Sequence, residues 1–138
     1  MRTSELDPIR YDWRGSVTNV ELNALHAEAF DHRLFDDDWG GQLERLSLGW
    51  VTAREDHGLV GFVNIIWDGL VHAFVEDTMV AERARRRGVG VRLISVARDH
   101  AAVAGCEWLH VDFEDRLKDF YLGACGFSPT SAGLTKLR

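Results

Sequence analysis

The chain is poor in what would tie it to a metal, a membrane or an oxidising compartment. Its two cysteines, Cys106 and Cys125, have neither CxxC spacing nor a nearby second pair of ligands. That argues against a disulfide framework and a metal site, and both are expected as buried thiols. No apolar run approaches the ~20 residues of a membrane span. The opening segment is polar and charged, without the apolar core of a signal peptide, so a cytoplasmic protein that does not engage membranes is expected. Excess base is missing too: a net charge of −6 and a pI near 5.4 argue against nucleic acid as partner. No repeat or low-complexity linker interrupts the 138 residues, a length suited to one core. A single domain over 1–138 is expected.

Charge is unevenly placed. Acid collects at Asp31, at Asp36-Asp37-Asp38 and from Asp112 to Asp119, while base collects from Arg83 to Arg92. Such segregation suits an anionic ligand in one place and a cationic one in another.

Periodicity supplies the elements. Ile9 to Trp13 alternates as a half-buried strand. Val20, Leu22, Leu25, Ala29 and Phe30 recur at helical spacing behind a Thr18/Glu21 capping box, which predicts a helix over about 18–30. A loop from His32 to Asp38 precedes a second helix from Trp39 to Leu48. Trp50 to Arg54, Leu59 to Trp67 and Leu70 to Val80 read as three strands of an antiparallel meander, turning at Asp56-His57-Gly58 and Asp68-Gly69. Val89, Leu93, Ile94, Ala97, Ala101 and Ala104 line a long amphipathic helix stopped by Gly105. Trp108 to Phe113 is then a strand parallel to the third of the meander. A short helix over Arg116 to Ala124 and a terminal strand over Gly133 to Leu137 complete the order β-α-α-β-β-β-α-β-α-β. This is a mixed α/β (α+β) sheet with helices on both faces. Trp13, Trp50, Trp67 and Trp108, all on strands, are expected in the core.

The stretch from Val75 to Gly90 is the centre of this plan: an apolar strand, a basic loop closed by two glycines, and the start of a helix. Glycines let backbone N–H groups turn toward a phosphate, and the helix adds its unpaired N-terminal N–H groups. Arg85-Arg86-Arg87-Gly88-Val89-Gly90 resembles the Gln/Arg-x-x-Gly-x-Gly/Ala signature of the GNAT acyltransferases. Phe120-Tyr121-Leu122-Gly123-Ala124-Cys125-Gly126-Phe127 resembles that family's later (Leu/Phe)-Tyr-x-x-x-Gly-Phe segment. The likeness covers about Leu70 to Ser128.

It implies a GNAT-like, centrally splayed sheet and acetyl-CoA as cosubstrate. Arg85, Arg86, Arg87, Gly88, Val89 and Gly90 would hold the pyrophosphate, with Met79 and Val80 on the strand that bonds the pantetheine arm. Tyr121 falls where the family often places its general acid. The family's common Asn seven residues earlier is here Glu114, which removes the hydrogen bonds such an Asn would make. An amine must be neutral before it attacks a thioester, so a base is required. On the third meander strand, His72, Phe74, Glu76 and Thr78 share the mixed face, and Glu76 leads as base. Asp77 shares the apolar parity and would sit in the core unless a bulge turned it outward. Val75 to Val80 also resembles the Glu-Asp strand of the diamine acetyltransferase branch. His72, His110 and Asp112 are secondary relay candidates.

Acceptor recognition is expected from the early helices and their loop, where Leu34, Phe35, Asp36, Asp37, Asp38 and Trp39 combine apolar surface with negative charge suited to an organic cation. The resulting expectation is acetyl transfer to the primary amine of a small cationic molecule by direct attack in a ternary complex, since neither cysteine has a histidine partner for a thiol route. A protein amine as acceptor, and a CoA-binding sensor or assembly module without catalysis, stand as alternatives, with a homodimer left open. No metal is expected.

Overall fold

The computed structural model describes residues 8–138; residues 1–7, most of the polar opening segment, lie outside it. Strand β1 (Arg10–Trp13) leads to helices α1 (Asn19–Phe30) and α2 (Trp39–Leu46). The meander follows as β2 (Ser47–Glu55), β3 (Gly58–Trp67) and β4 (His72–Val80). After a 3-10 turn at Glu82–Ala84 come α3 (Val89–Val103) and β5 (Trp108–His110). The five strands lie side by side in chain order, antiparallel from β1 to β4 and parallel between β4 and β5.

Local chemistry explains the boundaries. Thr18 caps α1 with the reciprocal bonds of a capping box, its hydroxyl accepting from Glu21 N at 3.1 Å while a Glu21 carboxylate oxygen accepts from Thr18 N at 3.0 Å. Glu21 is then clamped by Arg54 of β2 at 2.8 Å, tying the start of α1 to the sheet. Asp68 makes the β3–β4 turn by accepting from Leu70 N at 2.7 Å and His72 N at 3.2 Å.

Helices cover both faces, and two neighbouring residues of β3 demonstrate it. Phe62 meets Trp39 of α2 edge-on, with ring centroids 6.2 Å apart. Gly61, pointing the other way, lies under α3: an added Cβ would stand 2.8 Å from Val89 Cγ1 and 3.2 Å from Leu93 Cδ1. The core therefore has two layers, Leu22, Leu25, Trp39, Leu43 and Phe62 on one side and Val89, Leu93, Ile94, Ala97 and Ala101 on the other.

Two irregularities open the sheet where a ligand would enter. The β4–β5 ladder runs only from His72/Trp108 to Phe74/His110, although β4 continues to Val80. On the other side of β4 the register slips between Phe62/Met79 and Asn64/Glu76, a bulge at Asp77-Thr78 with Asp77 at φ 55°. The bulge turns Asp77 out of the core.

Several expectations are corrected. The strand expected over Trp108 to Phe113 ends at His110, because Val111 and Phe113 leave the sheet to pack against the core. The expected helix over Arg116 to Ala124 is a 3-10 turn at Asp115–Leu117 followed by a π-helical turn at Asp119–Ala124. The terminal strand of the expected order does not form. Its only large apolar residues, Leu134 and Leu137, are 87% and 89% exposed and find no face to bury. Trp108, expected in the core, is 62% exposed at the sheet edge. Cys125 is buried as expected, whereas Cys106 is only partly so.

Candidate active site

Two cavities flank the bulge. A groove of about 540 Å³ is lined by Thr78 and Val80 of β4, by Arg85, Arg86 and the helix start from Gly88 to Val91, and by Phe120 and Tyr121. A smaller pocket of about 360 Å³ is lined by Asp37, Asp38, Trp39, Gln42, Asn64, Ile66, Glu76 and Asp77. Asp77 faces one and its neighbour Thr78 the other.

The groove is built for an anion at one end. Arg86 and Gly88 both have left-handed backbones, φ 65° and 75°, and Gly88 is the N-cap of α3. Such a conformation costs a residue with a Cβ, which Gly88 avoids, and it swings successive N–H groups toward one side. Gly90 matters for space: a Cβ there would meet Phe120 Cε1 and Cζ at 3.0 Å, narrowing the groove. Arg85, Arg86 and Arg116 supply positive charge along the wall. A cradle that a Cβ would fill, turned N–H groups at a helix start and a guanidinium lining together fit the diphosphate of a CoA-type ligand.

The sequence-predicted residues divide between groove and elsewhere. Val80, Arg85, Arg86, Gly88, Val89 and Gly90 line the groove together with Tyr121. Met79 does not: its side chain is fully buried in the core. Arg87 turns away to Glu55, 3.3 Å distant, and Glu55 also takes Arg83 at 3.4 Å. That buried carboxylate anchors the basic loop to β2.

Tyr121 sits in the π-helical turn, closed by the bond from Cys125 N to Phe120 O at 2.8 Å. Insertions of this kind recur at functional sites because the extra residue redirects a side chain. The ring is 6% exposed, stacks on Phe113 at 4.9 Å and meets Phe120 and Phe127 edge-on. Its hydroxyl donates to Thr78 Oγ1 at 3.1 Å. Burial pushes the phenol above its ordinary range, the Thr78 hydrogen bond opposing and the Cys125, Asp112 and Glu76 charges adding, so the proton is firmly held.

In the pocket, Glu76 and Asp77 come together with Asp37 and Trp39. Burial raises the Asp77 pKa, against His26 and an Asn64 hydrogen bond that lower it. Burial also raises Glu76, followed by repulsion from Asp77 and Asp112. Two acids that resist ionisation beside an open cavity are poised to take a proton. Asn64, 1% exposed, is held by Gln42 Oε1 at 2.9 Å and by the Ser47 hydroxyl. Phe35 and Asp36 do not reach the pocket: Phe35 stacks on His32 at 4.2 Å, and Asp36 points to solvent. His72 and His110 pair with each other at 2.8 Å at the sheet edge, outside both cavities.

Sequence reasoning missed Asn64, Gln42, His26, Thr78 and Arg116. For Asn64 a signal existed, one amide inside the otherwise apolar run Leu59 to Trp67. Gln42 and His26 carry none, because α2 meets β3 and α1 meets β4 only through the tertiary fold. Among the described residues no group of three or more His, Cys, Asp or Glu is arranged to hold a metal ion, and no helix is long and apolar enough to cross a membrane.

Residues 11–127 match the model of the acetyltransferase (GNAT) family. No curated protein matches the chain in sequence. Solved structures share its fold. A probable acetyltransferase from meticillin-resistant Staphylococcus aureus has a TM-score of 0.75 at 17% identity, over 95% of this chain and 100% of its own. Glucosamine-6-phosphate N-acetyltransferase from Arabidopsis thaliana gives 0.72 at 16%, over 92% and 97%. The aminoglycoside N-acetyltransferase AAC(6')-Iy, solved with CoA, gives 0.71 at 18%, over 99% of both chains.

Proposed function

This chain belongs to the acetyltransferase (GNAT) family, an enzyme family with acetyl-CoA as acetyl donor, and we propose that it acetylates the primary amine of a small cationic molecule in a ternary complex. The bulge in β4 carries this assignment. It places an acid, Asp77, in the pocket and a hydroxyl pair, Thr78 and Tyr121, in the groove, one residue apart.

Acetyl-CoA supplies the thioester, and the groove residues position it: the N–H groups around Gly88 and the guanidinium groups of Arg85, Arg86 and Arg116 take the diphosphate. The acceptor enters the pocket as an ammonium. Asp37, Asp38 and Glu76 attract it, and the Trp39 ring offers a face to it. Asp77 removes the proton, its burial having raised its affinity for one. Glu76, which the sequence favoured as base, is the more exposed of the two and serves to hold the cation. Tyr121 Oη holds the proton that the departing thiolate requires, and its rotation about the C–O bond moves that proton from Thr78 toward the groove.

Free thiol released from acetyl-CoA with 1,4-diaminobutane, spermidine, an aminoglycoside and glucosamine 6-phosphate tests the assignment. The polycationic amines are expected to turn over fastest, because four carboxylates line the pocket. Preference for the anionic sugar phosphate, or for a peptide lysine added to the panel, would overturn it.

A further inference from the structure

A line of polar contacts starts at Asp77 and leaves the pocket through α1. His26 Nε2 stands 3.8 Å from Asp77 Oδ1. The other nitrogen of that ring, Nδ1, lies 2.6 Å from His32 Nε2, and His32 Nδ1 lies 2.6 Å from the main-chain oxygen of Arg33. The far end fixes the protons along this line. A carbonyl oxygen only accepts, so His32 Nδ1 carries hydrogen; with His32 neutral, its Nε2 must accept, and His26 Nδ1 must donate. His26 Nε2 is thereby left as a bare lone pair aimed at the Asp77 carboxylate. The gap between the two is too long for a direct hydrogen bond, and one water donating to both acceptors is the link that chemistry allows across it.

Both rings are held in place. His26 packs between Phe30 and Trp39, with centroids at 4.6 and 5.5 Å, and His32 stacks on Phe35 at 4.2 Å. That stacking gives Phe35, which does not line the pocket, a role in orienting His32.

We propose that His26 and His32 form a proton relay that carries the proton of the acceptor ammonium from Asp77 out of the pocket to water. The proposal rests on Asp77 as base. In the first step an ammonium N–H bond breaks and an Asp77 O–H bond forms. Through one water in the gap, which takes the Asp77 proton as it gives one of its own to His26 Nε2, the proton moves on while His26 Nδ1 passes its own to His32 Nε2. The carboxylate is restored, His26 has changed tautomer, and His32 is an imidazolium. Partly exposed, His32 gives one proton to water, and both rings regain their starting tautomers by exchange with solvent. One proton enters from the amine and one leaves, with no change of redox state.

The surroundings agree. The groups facing His26 are Asp77 of β4, Asp37 of the loop before α2, and His32; burial lowers its pKa first, the two acids pull it up, and His32 would push it down only when it carries charge itself. Neutral His26 is the form a relay needs.

Two measurements test the relay. Nitrogen-15 NMR of the imidazole rings is expected to find His26 and His32 as Nδ1–H tautomers at neutral pH; His26 with its proton on Nε2 in the free enzyme would overturn the proton order. With the fastest amine of the panel, His26→Gln and His32→Gln are expected to lose about tenfold or more in kcat, with KM for both substrates within about twofold. Added imidazole should restore kcat in His32→Ala, since the site opens to solvent. Unchanged kcat in both Gln variants, or a His32→Ala loss that imidazole leaves unrepaired, would overturn the relay. Asp77→Asn separates the two ideas: wild-type kcat there removes the base and the relay together, whereas an inactive Asp77→Asn beside wild-type His26→Gln and His32→Gln removes the relay alone.

Discussion

Tyr121→Phe separates structure from chemistry at one atom. The ring is unchanged, so its stacking on Phe113 and the edge contacts with Phe120 and Phe127 persist. The variant loses the single hydrogen bond to Thr78 Oγ1, about 1 kcal/mol of stability and a fall of about 3–6 °C in Tm for a domain of this size. Thr78 is only half-buried, so water can satisfy the hydroxyl left behind. If Tyr121 protonates the leaving thiolate, kcat falls by about 10²–10⁴, equivalent to about 3–5 kcal/mol of barrier. The kinetic loss thus exceeds the structural one several-fold, and no plausible loosening of the fold accounts for it. The pH profile adds a second signature. Burial raises the phenol pKa, so the wild-type enzyme should keep its rate up to and beyond the ordinary tyrosine pKa of about 10. Where kcat finally falls as that proton is lost, the fall should be missing from Tyr121→Phe. Thiol release followed against pH, beside a thermal melt, measures both. A kcat within about threefold of wild type with the alkaline limb intact would refute the role of the tyrosine.

Asp77→Asn should be more stable than the wild type at about pH 8, with the difference vanishing near pH 4. The folded pKa is raised by burial, so the folded state binds the proton more tightly, and wild-type stability declines as pH rises from the unfolded pKa through the folded one; urea unfolding at the two pH values checks the sign. Gly90→Val pushes on Phe120, which a Cβ already meets at 3.0 Å, and is expected to raise KM for acetyl-CoA by about tenfold, about 1.4 kcal/mol, read by initial-rate kinetics; an unchanged KM would place the cofactor elsewhere. Thr18→Ala removes the capping hydroxyl of α1 and should cost about 1 kcal/mol, read by denaturant unfolding.

What was legible in the sequence was local or repeated. The Thr18/Glu21 cap closes within one turn, the meander follows from period-two runs between strong turns, and the loop from Arg85 to Gly90 carries its own chemistry. Asp77 was legible as a conflict, a carboxylate on an apolar parity, and the bulge resolves it. The rest depended on distance along the chain. His26 and Asp77 are brought together only when α1 crosses β4, and nothing near either residue announces the other. The π-helical turn escaped because helical spacing cannot distinguish an i+5 bond from an i+4 bond over so few residues. Leu134 and Leu137, three positions apart, would point to opposite faces of a strand, and so give the tail no apolar face to lay on the sheet.

Consecutive Cα atoms of a trans chain stand about 3.8 Å apart whatever the rest of the protein does. Because Asp77 and Thr78 are neighbours on β4, the separation between the proton-accepting and hydroxyl-bearing sides is set by covalent geometry, independent of how α1 or α2 is seated. Helix α2 and the loop before it, which wall the acceptor pocket, can therefore be recut for a different amine while the two sides stay in step. For anyone redesigning this scaffold, the segment to leave untouched is Glu76 to Thr78, and the freedom lies at Asp37, Trp39 and Gln42.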